Sequence, residues 1–171
     1  AKFFNCSRAP AVANEALQCH GGNGFIEENP MARIYREAPL NSVWEGAANM
    51  MCMDVRRAMR KDPACRDALL EEIHSVRGQH KLFDAFAAHL APLVDGMLAD
   101  EFLARPASEA LARAIQGVEL LRHSPPEVVD AFMTARLGGA PGSWGAMFGS
   151  LGASVSQAQA HTIVDRAQVV R

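Results

Sequence analysis

Apolar residues in this chain recur at three- and four-residue steps and nowhere alternate for long, so the pattern predicts an all-α fold. The strongest stripe lies in 79–102, where Leu82, Phe86, Leu90, Leu93 and Met97 share one face. Pro92 inside that stripe predicts a kink or a split. A first helix reads from the start of the chain to Cys19 or His20, and Gly21-Gly22 stops it, because glycine accepts the left-handed conformation that closes a helix. Residues 23–29 read as a loop. Pro30 opens a short helix through Glu37, Pro39 ends it, 41–45 connect, and 46–59 form the next helix.

Lys61-Asp62-Pro63 marks a boundary, after which 67–76 reads as helix. Another helix spans 106–123, with Leu111, Ile115, Val118 and Leu120 or Leu121 inward. In Ser124-Pro125-Pro126-Glu127, serine caps, proline takes the first helical position and glutamate reaches back to the cap. Val128, Val129, Phe132 and Met133 belong to that helix, and Gly138-Gly139 ends it. The stretch 141–152 reads as loop or broken helix, and 154–169 as a final helix. No internal repeat is visible. The architecture expected is a helical bundle at 1–61 with appended helices at 62–171.

A chain of 171 residues suits one domain, or a domain with a small appendage. Its net charge of -2 gives no general attraction to nucleic acid or anionic membrane. Residues 1–61 carry 8 Lys/Arg against 6 Asp/Glu, and 62–171 carry 9 against 13. Arg105, Arg113, Arg122 and Arg136 are therefore spread through an acidic region, which speaks against a phosphate-tracking face. Cys6, Cys19, Cys52 and Cys65 contain no C-x-x-C pair and read as buried free thiols of a reducing, cytoplasmic protein. No apolar run reads as a membrane span. None of the six histidines has a trusted metal-ligand spacing, so no metal site is expected. The chain opens on Ala1 with no capping residue before the first helix, which reads as a fragment.

Chemistry concentrates between Ala16 and Arg57. Gln18 precedes Gly21-Gly22-Asn23-Gly24-Phe25; Arg33 and Arg36 stand three apart on a short helix; Trp44-Glu45-Gly46 precedes a helix. Taken singly, these features read as a helix stop, surface ion pairs and a capping carboxylate. The glycines do not follow a strand, so they are not a Rossmann fingerprint.

In this order and spacing the set resembles the C-terminal signature of the acyl-CoA dehydrogenases. Leu40 to Gly46, with Asn49 and Met51 to Arg56, is similar to the branch of that family linked to the alkylation adaptive response. Val76 to Gln79, Ser124-Pro125-Pro126 and Arg136-x-Gly138-Gly139 extend the likeness loosely over the rest. The resemblance implies an FAD-dependent enzyme that removes the α-proton of an acyl-CoA thioester while the flavin accepts the β-hydride. Glu45 matches the position of the catalytic base. A base for so weak an acid needs a dry surrounding and a raised pKa, which Trp44 and Val43 could provide, and Gly46 lets the backbone turn beside a large cofactor. Some members of the family place that base upstream, outside this chain. Gln18, Gly21 and Gly22 match contacts to the adenosine and pyrophosphate of FAD, typically that of a neighbouring subunit. Arg36 matches a structural support of that turn. Where many members carry a hydroxyl after Glu-Gly, Ala47 and Ala48 stand here and leave Asn49 as the nearby polar side chain. His20 reads as a cation at the helix end.

The partners implied are acyl-CoA and further copies in a homodimer or homotetramer. Little FAD binding and no turnover are expected of this chain alone. Two other readings stay open: a DNA-associated adaptive-response module, and a non-catalytic oligomerisation bundle suggested by Met50, Met51 and Met53 and the Leu82–Met97 stripe.

Overall fold

Residues 1–139 and 155–168 are described in a computed structural model, and segment 141–152, expected to be loop or broken helix, lies outside them. Among the described residues every regular element is helical, as the periodicity predicted. Helix α1 spans Lys2–Cys19 and the one-turn α2 Gly22–Phe25. Helix α3 spans Pro30–Glu37 and runs into a 3-10 turn at Ala38–Ser42. Next come α4 (Ala48–Lys61), α5 (Pro63–His74), α6 (Lys81–Ala87) and α7 (Leu90–Ala99). The long α8 covers Ala104–His123, α9 covers Pro126–Phe132 with a π-helical turn at Met133–Leu137, and α10 covers Gln157–Ala167.

Several boundaries differ from expectation for identifiable reasons. Pro39 does not end the helical path, because proline suits the first turn of the 3-10 segment that takes over. Helix α5 starts four residues before the expected Asp67, because Asp62 caps it by accepting from the Ala64 amide at 3.0 Å. The stripe is split in two, as Pro92 predicted, but the break falls earlier, at Ala88–His89, so that Pro92 lies in the first turn of α7, where its missing N–H has no intrahelical acceptor to lose. Ser124 is not a cap: Pro125 holds the cap position, Pro126 is the first helical residue, and no side-chain capping bond forms. The last helix begins after Ser156, where Ser156 and Gln159 form a reciprocal capping box.

One hydrophobic core runs across the Lys61–Pro63 junction. Phe3 and Phe4 of α1 and Cys52 and Met59 of α4 join Ile73, Phe83, Leu90, Met97, Leu111 and Met133. Full burial of side chains such as Phe83, Leu90 and Met97 contributes about 1.5–3 kcal/mol each. Helix α8 is the hub, packing on α1, α4, α5, α6, α7 and α9. Its inner face is not the Leu/Ile stripe expected. Leu111 and Val118 are buried, but Ala107, Ala110, Ala114 and Gly117 fill the rest, and Ile115, Leu120 and Leu121 are only partly buried. Small residues let the surrounding helices approach closely.

The thiols also differ from expectation. Cys52 alone is buried, whereas Cys19 and Cys65 are exposed at helix ends. Contrary to the sequence reading, Lys81–Ala99 is long and apolar enough to cross a membrane by length and composition, with a mean hydropathy of 1.3. Here it is two helices, α6 and α7, that bury Phe83, Phe86, Leu90, Val94 and Met97 in the core.

Candidate active site

The double glycine closes α1. His20 and Gly21 donate to the carbonyls of Leu17 and Gln18 at 3.1 and 2.9 Å. Gly21 has φ +58 and ψ −143, a conformation open to glycine. Residues 22–25 then form a helical turn, α2, rather than the loop expected. Gly24 is buried there, and a Cβ on it would stand 2.2 Å from the Leu17 carbonyl oxygen. Above Gly21 and Gly22, by contrast, nothing lies within 4 Å of a notional Cβ. Gln18, His20, Gly21 and Gly22 are all exposed. His20 stands at the C-cap of α1, the negative end of the helix dipole.

Arg36 supports this turn through a partner the sequence did not suggest. Its guanidinium forks onto Glu27, with Nη1 donating to Oε1 at 2.6 Å and Nη2 to Oε2 at 2.9 Å. Those bonds, more than the charge, hold the Glu27 carboxyl below the usual carboxylate range. Arg33 takes the expected Glu37, at 3.8 Å. Asn29 caps α3 by accepting from the Met31 amide at 3.0 Å, so both ends of the segment after the glycines are tied down.

Glu45 sits at the other end of α1. The Lys2 ammonium donates to the Trp44 carbonyl and anchors the bend. Glu45 itself has φ +56, the one positive φ on a non-glycine residue among those described, and Gly46 comes next at φ +112. A left-handed glutamate costs about 1–2 kcal/mol. Its side chain is exposed, and Trp44 is 55 % and Val43 61 % exposed, so the dry surrounding expected of a base is not formed by the described residues of this chain alone. Gly46 has room, its nearest non-neighbour being Met51 Cγ at 3.8 Å from a notional Cβ. Asn49 is engaged: its Oδ1 accepts from Arg105 of α8 at 2.7 Å, and Arg105 also lies over the Phe3 ring at 5.1 Å.

The structure thus separates the candidate residues into two groups. Gln18, Gly21 and Gly22 lie at the C-terminal end of α1, and Trp44, Glu45, Gly46 and Asn49 near its start. At ~1.5 Å per residue the helix between them is about 25 Å long. Gly24 belonged to the glycine motif without a role of its own, and Glu27 carried no signal in the sequence. The burial demand on Gly24 and the Arg36 partner could be found only from tertiary contacts.

Residues 1–60 match the family described as acyl-CoA dehydrogenase, C-terminal domain. The chain is 34 % identical over 145 residues to AidB of Escherichia coli (strain K12), whose name assigns it to the acyl-CoA dehydrogenases; the match covers 80 % of this chain and 25 % of AidB. It is 39 % identical over 60 residues to the mitochondrial isovaleryl-CoA dehydrogenase of Oryza sativa subsp. japonica, covering 35 % of this chain and 15 % of that protein. With the 3-methylmercaptopropionyl-CoA dehydrogenase of Ruegeria pomeroyi it shares 33 % identity over 92 residues, 53 % of this chain and 16 % of that one. The chain therefore spans a quarter or less of the length of these relatives. Over residues 1–60, then, the chain carries the C-terminal domain of the acyl-CoA dehydrogenase family.

Proposed function

We propose that this segment serves an FAD-dependent α,β-dehydrogenation of an acyl-CoA thioester, with Glu45 as the base that takes the α-proton. The observation that carries the reading is the Trp44-Glu45-Gly46 bend. A left-handed glutamate is unfavourable for folding, yet Lys2 anchors the peptide beside it. Strain of this kind, held in place by its surroundings, is a mark of functional positions. On this reading the wall that dries Glu45 and holds the isoalloxazine ring comes from structure beyond these residues. Nine large apolar side chains between Val12 and Met50 are exposed, Phe25 and Trp44 among them, and are suited to be covered by it.

Gln18, Gly21 and Gly22 stand too far from Glu45 to act on the same end of one flavin. The reading that suits this separation is a cradle for the adenosine and pyrophosphate of a neighbouring copy's FAD, in a homodimer or homotetramer. The open space over both glycines supports it. Substrate, cofactor, assembly and a cytoplasmic location are proposals of this same reading. A DNA-binding role gains no support, since Arg105 bonds Asn49, Arg113 bonds Glu109 and Arg122 bonds Glu72 within the chain.

The test is Glu45→Gln in a protein that carries this segment with a flavin-binding region. Loss of a general base lowers kcat by about 10²–10⁴-fold, while the flavin absorbance stays. Undiminished turnover in the variant overturns the assignment. The isolated chain is expected to purify without stoichiometric yellow flavin.

A further inference from the structure

Arg105 reaches the candidate site from outside the family segment. It is the second residue of α8, among the helices appended after residue 61. The positive end of the helix dipole lies there and disfavours a cation, and no acidic side chain stands in that first turn to offset it. The guanidinium instead reaches back to the start of α4, where it donates to Asn49 Oδ1 at 2.7 Å, and it lies over the Phe3 ring at 5.1 Å. Phe3 follows Lys2, whose ammonium holds the Trp44 carbonyl, and Asn49 stands in the first turn of the helix that follows Glu45-Gly46. Arg105 thus ties together the two segments that flank the left-handed bend.

The bond decides which way the Asn49 amide faces. A guanidinium has donors and no acceptor, so only the amide oxygen can meet it. The Nδ2 group is then turned away from Arg105 with two protons to donate. Asn49 is exposed, and its Nδ2 finds no acceptor among the described residues. Asn49 and Arg105 both line a cavity of about 610 Å³ between the starts of α4 and α8, so open volume lies beside the amide. Ala47 holds the cap position of α4 and Ala48 follows, which makes Asn49 the first polar side chain after the Glu45-Gly46 turn.

We infer that Arg105 is a positioning residue: it fixes the Asn49 amide so that Nδ2 donates to an acceptor atom of the FAD beside which Glu45 works. The inference rests on the reading of this segment as part of an FAD-dependent dehydrogenase, and it gives the appended helices a part in that site. An amide free to rotate offers a ligand its oxygen or its nitrogen; one pinned by an arginine offers only the donor. Fixing the amide before the ligand arrives lowers the ordering cost of binding.

The experiment uses a protein that carries this segment with a flavin-binding region, stripped of flavin and titrated with FAD. Asn49→Asp keeps an acceptor for Arg105 and suits the start of a helix, yet it has no N–H to give. It is expected to weaken FAD roughly fivefold without lowering the melting temperature, a split that a merely structural role of the pair would not produce. Arg105→Met, which keeps an aliphatic cover on Phe3, is expected to weaken FAD by about the same factor, and Arg105→Lys, again a donor without an acceptor, to restore most of the loss. Arg105→Met combined with Asn49→Ala is expected to lose no more than Asn49→Ala alone, because the two act through one bond. Additive losses, or an unchanged FAD affinity in Asn49→Asp, overturn the inference and leave the Glu45 reading standing. Full turnover in Glu45→Gln sinks that reading while the affinities still decide the role of the amide. Failure of the parent protein to bind FAD sinks both.

Discussion

Gly22 and Gly24, two positions apart in the same turn, face opposite constraints. A methyl group at Gly22 meets nothing within 4 Å, whereas one at Gly24 runs into the Leu17 carbonyl at 2.2 Å. Gly24→Ala is therefore expected to destabilise the chain by about 1–3 kcal/mol, as overpacking against rigid backbone does, and Gly22→Ala to stay within about 0.5 kcal/mol. Urea midpoints of the two variants check this. A Gly22 variant that folds normally separates the glycine required for the turn from the one with open space above it. The Arg36–Glu27 fork adds a pH dependence. The folded-state carboxyl of Glu27 is depressed, so its contribution is present above its unfolded value of about 4.3 and fades as pH falls through the lower folded value. Amide protection factors over 21–29 are expected to fall in that acid window, and Arg36→Ala to show the lower protection already at pH 7.

Among elements, the ones with strong local signals were legible. Proline starts at Pro30, the glycine stop after Cys19 and the periodicity of α4 through α8 all lie in short-range chemistry, and helix type followed from them. What stayed illegible was set across the chain. The α6–α7 break sits where Pro92 can enter a first turn, a choice among several that periodicity allowed. The small-residue face of α8 depends on how closely Phe83 and Met133 approach Gly117, which spacing does not reveal. The candidate site divides in the same way. Its residues could be named from their order along the chain, but their separation by the length of α1 could not. At this scale Arg56 of α4 is a useful probe. Its side chain is 13 % exposed, and it donates to the Met97 and Leu98 carbonyls at 2.8 and 3.2 Å, capping the end of α7. Arg56→Met leaves those carbonyls without this donor and is expected to cost about 1–3 kcal/mol in urea unfolding, with α7 exchanging before α8.

For the molecule as a whole, the notable fact is that the family segment and the helices after it share one core. Phe3, Phe4, Cys52 and Met59 pack in the same cluster as Phe83 and Val118. A chain cut after Lys61 would expose these side chains and is expected to lose its helical circular dichroism signal. The intact chain is expected to unfold in one transition, with fluorescence and far-UV signals coincident. Two resolved transitions would mean that the junction at Asp62 divides the stability as well as the composition.

The left-handed glutamate before Gly46 sets stability and chemistry against each other at one address. Asparagine and glycine are the residues at ease there. A library ranked only by heat resistance should drift toward them, and Glu45→Asn should match or exceed the parent in melting temperature. On the proposed reading, the acid at this spot serves the chemistry at a cost to the fold.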